Sequence, residues 1–127
     1  MRRAVALPAL VLTVAATSLV QASTLLSSPV LVGGSGDQLG CYVTNVDTKA
    51  VKVTVTLRDE LGNPLGLSAE TCAYLGTLAA GQTCFVYRDP APSYGRCTVE
   101  ASSGKIRAVL SVLNGGHVTA SEPLTKK

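Results

Sequence analysis

The chain has 127 residues, of which 46% are hydrophobic and 15% charged, and its formal charge is +3. Arg2 and Arg3 stand at the extreme N-terminus, and the rest of the chain carries nine Lys/Arg against eight Asp/Glu, too even a balance to steer nucleic acid. One His, one Met and no Trp also exclude the Met and His clusters by which small β-sandwiches handle copper.

The first element is the stretch MRRAVALPALVLTVAATSLVQA. Two arginines, an apolar run from Ala4 to about Val20 and the small-residue end Val20-Gln21-Ala22 make residues 1–22 a secretory signal peptide, cut after Ala22. The run is slightly shorter than the roughly 20 apolar residues that span a bilayer, and Pro8, Thr13, Thr17 and Ser18 interrupt it, so no stable membrane anchor is expected after cleavage. The first cysteine is Cys41, far from the cut that a lipoprotein would need there. The expected product is secreted or periplasmic, with a single domain at 37–121, an N-terminal edge segment and Gly-rich turn at 23–36, and a tail at 122–127.

Pro29 to Val32 reads as a short first edge strand, and Gly33-Gly34-Ser35-Gly36 as a flexible turn. This turn lacks the following Gly-Lys-Ser/Thr of a phosphate-binding loop. LGCYVTNV at 39–46 is the next strand. KAVKVTVTLRDE at 49–60 then alternates strictly, with Val51, Val53, Val55 and Leu57 on one side and Lys52, Thr54, Thr56 and Arg58 on the other. Leu61-Gly62-Asn63-Pro64 is a turn.

In 65–78, Gly66 and Gly76 oppose a stable helix, and a short irregular strand with a loop around Cys72 is expected. TCFVYR at 83–88 follows, then the Pro-containing loop DPAPSYG. RCTVEA and KIRAVLSV alternate as well, and a tight turn over Ser102-Ser103 would pair them as a hairpin, Val99 against Ile106 and Glu100 against Lys105. Asn114-Gly115-Gly116 sends His117 to Ala120 back as a last short strand. Seven or eight short strands without a convincing helix predict an all-β antiparallel sandwich.

Cys41, Cys72, Cys84 and Cys97 form an even set in a small exported domain, which predicts two disulfides, with three pairings open. Separations of 31, 12 and 13 residues lack the paired knuckles of a zinc site. The only histidine, His117, is expected on the surface, and no G-x-S-x-G elbow surrounds a serine. Asp59 and Glu60 are adjacent and point apart, while Asp37, Asp47 and Asp89 sit beside turns that a short carboxylate can bond. No D-x-D-x-D calcium loop is present, and no cofactor is expected.

Loops at the end of a sandwich commonly carry recognition, so Asp89 and Tyr94 are the candidate binding loop, whereas Tyr42 and Tyr87 are expected to pack within strands. Lys52, Arg58, Arg96, Lys105 and Arg107 are expected to share one mildly basic sheet face, partly neutralised by Glu100. The simplest reading of that face is the solvated back of a sheet.

Cys41-Tyr42-Val43-Thr44-Asn45-Val46, the alternating Val51 to Val55, the Asp59-Glu60-Leu61-Gly62 turn and Leu78-Ala79-Ala80-Gly81-Gln82 resemble bacterial secreted immunoglobulin or fibronectin type III-like modules. They are similar in particular to CARDB-type adhesion-related domains, over residues 37–113. The chain departs from antibody-type domains in lacking Trp and in placing Tyr94 three residues, not two, before Cys97. The resemblance implies that Cys41 pairs with Cys97 across two sheets and Cys72 with Cys84 at one end. It also implies a non-enzymatic structural, adhesive or protein-binding role, with an unidentified protein or cell-surface component as partner. The alternative is a small exported enzyme, or an inhibitor of one, with a loop site that no motif marks.

Overall fold

The computed structural model describes residues 23–127, and the signal-peptide reading of 1–22 lies outside them. In chain order the elements are β1 (Thr24–Ser27), β2 (Leu31–Val32), β3 (Gln38–Asn45), β4 (Val51–Arg58), β5 (Ala69–Glu70), α1 (Cys72–Leu75), β6 (Thr77–Leu78), β7 (Thr83–Arg88), β8 (Tyr94–Ala101), β9 (Ile106–Asn114), β10 (His117–Pro123) and β11 (Thr125–Lys126). They form two antiparallel sheets. One has the order β11-β1-β8-β4-β6, with β2 also on β8, and the other the order β10-β9-β3-β7-β5. The fold is therefore an all-β arrangement of two layers. Its eleven strands exceed the expected seven or eight because β2, β5, β6 and β11 are two-residue pairings that carry no periodic signal.

Each sheet turns one set of alternating residues inward. Val51, Val53, Leu57, Cys97, Val99 and Leu26 come from the six-stranded sheet, and Leu39, Cys41, Val43, Val86, Leu110 and Val112 from the five-stranded one; all are buried. The Cys41–Cys97 disulfide ties β3 to β8 across this core, with Cα atoms 6.3 Å apart. Cys72–Cys84 ties α1 to β7. On loop-closure entropy, sequence separations of 56 and 12 residues correspond to about 4 and about 3 kcal/mol. Asn45 is the polar member of the core, fully buried. Its Nδ2 donates to Lys49 O at 2.8 Å and Leu78 O at 2.9 Å, and its Oδ1 accepts from Asp47 N at 2.8 Å. One side chain thus joins the end of β3 to β6 in the opposite sheet.

Four expectations are corrected. RCTVEA and KIRAVLSV do not form a hairpin. β8 pairs with β4 and β1, whereas β9 pairs with β3 and β10, so Val99 lies opposite Val55 and Leu26, and Ile106 opposite Asn45. The chain changes sheets across 102–105, where Ser102 Oγ accepts from Lys52 N and Ser103 Oγ donates to Asp47 Oδ2. Both strands have an apolar face that needs cover from the opposite layer, and a crossover supplies it as well as a hairpin would.

An unexpected strand, β1, starts at Thr24 and lies between β11 and β8, while of the expected edge strand Leu31–Val32 forms β2, which pairs with β8 alone. Pro29, having no N–H, interrupts the ladder of β1, and Ser28 Oγ accepts from Cys97 N at 2.9 Å beside the break. The Gly-rich turn after it is packed closely, since a Cβ on Gly33 would stand 2.5 Å from Pro92 O. Residues 65–78 contain a single helical turn, α1, which the disulfide and the Glu70 Oε2 acceptor on Ala73 N hold in place. Residues 122–127 are not a tail. β10 runs on to Pro123, Leu124 is buried, and β11 pairs with β1, so one strand path passes from the five-stranded to the six-stranded sheet.

Candidate functional site

The expected basic face divides between the layers. Lys52 and Arg58 project outward from β4, and Arg96 from β8, where it lies directly opposite Arg58. Arg107 is on β9 of the other sheet, opposite Thr44, and Lys105 stands in the 102–105 link. Topology therefore leaves Lys52, Arg58 and Arg96 on one face with Thr54, Thr56, Thr98 and Glu100. Arg58 is fixed there, Nε donating to Thr98 Oγ1 at 3.1 Å and Nη1 to Gly62 O at 2.9 Å.

The candidate loop divides as well. Tyr94 opens β8 opposite Val32 in the six-stranded sheet and is 44% exposed. Asp89 follows β7 in the five-stranded sheet, its N–H donating to Ser68 Oγ and its C=O accepting from it.

The carboxylates serve turns. Asp59 Oδ1 accepts from Leu61 N and Asn63 N, both at 2.9 Å. Asp37 accepts from Asn114 Nδ2 and from Gly34 N, and these bonds hold its carboxyl below the ordinary aspartate value. Asp47 is held down in the same sense, first by the Ser103 hydroxyl and then by the Thr48 and Lys49 amides. Among the described residues, no three His, Cys, Asp or Glu side chains gather as a metal-ligand set.

The surface that the sequence reading missed is the outer face of the five-stranded sheet. Tyr42 lies opposite Val109 on β9 and Phe85 on β7, and Pro123 lies beyond Val109, so a single row crosses four strands as Pro123, Val109, Tyr42 and Phe85. The next row runs Ser121, Ser111, Gly40, Tyr87 and Ala69. Tyr42, Phe85, Tyr87, Val109 and Leu113 are all half-buried.

The rings of Tyr42 and Phe85 are tilted, with centroids 6.3 Å apart. Tyr42 leans over Gly40, where an added Cβ would meet three of its atoms at 3.0–3.3 Å. Burial first, and then the Asp89 carboxylate and the neighbouring Tyr42 phenol, push the Tyr87 hydroxyl above its ordinary pKa. Three of the chain's five Phe/Tyr residues thus share one face, and neither central row contains a charged side chain. The signal was present in the chain: Cys41 and Cys84 are disulfide-bonded core residues, so their neighbours Tyr42 and Phe85 point away from the core.

The face is uncharged and mixed: half-buried Tyr42, Phe85, Tyr87 and Val109 stand beside Ser111 and Ser121. The recesses are small. One of about 240 Å³ lies where β4 faces Leu67, Glu70 and Ala73, and a shallower one of about 260 Å³ lies beside Lys52, Thr54 and Glu100.

No family model matches the chain, and no curated protein matches it. The chain is similar in fold to a solved structure described as "Crystal Structure of Thermotoga maritima 1070", with a TM-score of 0.53 and 13% identity over 83% of this chain and 95% of that one.

Proposed function

We propose that this chain is a non-enzymatic, extracytoplasmic binding module of the immunoglobulin or fibronectin type III kind, which docks a protein partner on the outer face of its five-stranded sheet. The two disulfides support an oxidising compartment outside the cytoplasm. Export by the 1–22 leader, to the periplasm or beyond, completes that reading. The observation that carries the docking role is the uncharged row Pro123, Val109, Tyr42 and Phe85. Its aromatic rings bring large contact area with few rotatable bonds, as interface centres do. At one end the face is bounded by Arg107, Thr44 and Thr83, and at the other Gln38 stands in a row with Leu113 and Val118.

The test is retention of envelope proteins on immobilised 23–127, comparing the native sequence with Val109→Lys on this face and Thr56→Lys on the opposite one. A partner kept by Thr56→Lys and lost by Val109→Lys is the expected result. A partner lost only by Thr56→Lys, or no retained partner, overturns the assignment.

A further inference from the structure

We propose that Arg58 and Arg96 form a second binding site, on the outer face of the six-stranded sheet, for the acidic groups of a polysaccharide. The two residues are direct cross-strand partners, an arrangement that repels unless an anion lies between them. Their guanidinium groups both reach Gly62. Arg58 Nη1 donates to Gly62 O at 2.9 Å, and Arg96 Nη2 stands 3.8 Å from where a Gly62 side chain would begin. Gly62, at a φ of 83°, has no side chain to separate them.

Neither arginine is neutralised by the bonds it makes. Arg58 donates to a backbone carbonyl and a hydroxyl, and Arg96 Nε is buried without any partner. Asp59 Oδ1 accepts from two amides of its own turn, and Glu100 Oε1 accepts from Ser23 Oγ. Both arginines are half-buried, and a half-desolvated pair of cations with neutral partners favours an incoming oxyanion. Thr98 Oγ1 accepts from Arg58, so its own hydrogen is free to donate, and Thr56 lies opposite it.

These donors, Arg58, Arg96, Thr98 and Thr56, suit a carboxylate or sulfate flanked by hydroxyls. The face bears threonines and has one shallow recess, beside Lys52, Thr54 and Glu100, and Tyr94, two residues before Arg96 on the same strand face, offers a ring against which a sugar can lie. Those features favour an acidic glycan over an acidic peptide. The inference does not depend on the aromatic face, which lies on the other sheet.

The test is calorimetric titration of the disulfide-bonded 23–127 chain with polygalacturonate, a neutral polysaccharide and polyglutamate. Binding to polygalacturonate is expected to weaken by about ten-fold or more in Arg96→Gln and in Arg58→Gln, and to persist in Arg107→Gln. Thr98→Val, which keeps both charges, is expected to show a smaller loss and guards against misfolding of the arginine variants. Equal binding by Arg96→Gln and the native chain, equal loss in Arg107→Gln, or no binding at all overturns the site. Polyglutamate bound as tightly as polygalacturonate overturns its assignment to a glycan.

Discussion

The outer faces of the two sheets arise from the same period-two pattern and have opposite chemistry. On β4 and β8 the outward rows read Thr54 with Glu100, Thr56 with Thr98 and Arg58 with Arg96. On β9, β3 and β7 the corresponding rows read Val109 with Tyr42 and Phe85, and Ser111 with Gly40 and Tyr87. Alternation requires only that every second residue be apolar; it leaves the intervening residues free. In the six-stranded sheet those positions hold side chains that water solvates well. In the five-stranded sheet they hold rings and an aliphatic side chain that water solvates poorly, beside Ser111 and Gly40.

The largest way to disturb this contrast is to release the layers from each other. Replacing Cys41 and Cys97 together by Ala is expected to lower stability by about 4 kcal/mol, seen as a fall in the guanidinium midpoint. An unchanged midpoint would mean that core packing alone holds the faces apart. Asn45→Ala cuts three hydrogen bonds, the one to Leu78 O buried and between the layers and the other two within the 45–49 turn, and is expected to cost about 2 to 3 kcal/mol in the same experiment.

A matched pair then compares the faces directly. Gly40→Val forces the Tyr42 ring aside and is expected to cost about 1 to 2 kcal/mol and to alter the near-ultraviolet tyrosine dichroism. Thr56→Val, on the solvated face, is expected to stay within about 0.5 kcal/mol. Equal costs would remove the distinction between a packed and a solvated outer face.

The smallest effect concerns acid. Asp37 and Asp47 titrate below the ordinary 3.8 because hydrogen bonds favour their charged forms in the folded chain. Their contribution is therefore complete above that value and is lost as pH falls through the lowered one. Thermal melting between about pH 4 and about pH 2 should be less acid-sensitive in the double variant Asp37→Asn, Asp47→Asn. An identical acid limb would show that these turns do not distinguish the charged carboxyl.

The long strands were legible because their alternation is strong. LGCYVTNV and TCFVYR stand within a residue of β3 and β7, and KAVKVTVTLRDE overruns β4 by two residues at each end. Which strands become neighbours was not legible. A four-residue link such as 102–105 serves a hairpin or a crossover equally well, and with Arg96 and Arg107 assigned to one hairpin, the basic residues were gathered on a face they do not share. Glu122-Pro123 read as the start of a tail because an edge strand exposed along its length carries the polar and proline residues that loops also carry. At the candidate sites, residue types pointed to Arg58 and Arg96, but only the β4–β8 register brings them together. Tyr42 and Phe85 were readable from the inward direction of Cys41 and Cys84, once those cysteines are taken as fixing the parity of their strands.

The short disulfide has a consequence beyond its entropy. β6 pairs with β4 only at Val51 and Lys52, and farther along Leu57 O accepts from Leu65 N, so the intervening Val53 to Thr56 edge has no strand beside it. What stands over that edge is α1, a single turn tethered to β7 through Cys72–Cys84, together with Leu67 and Glu70. KVTVTL is rich in residues of high β-propensity, and an open edge of that composition is a template for pairing with another chain. Cys72–Cys84 therefore fastens α1 over the stretch of β4 that no strand covers.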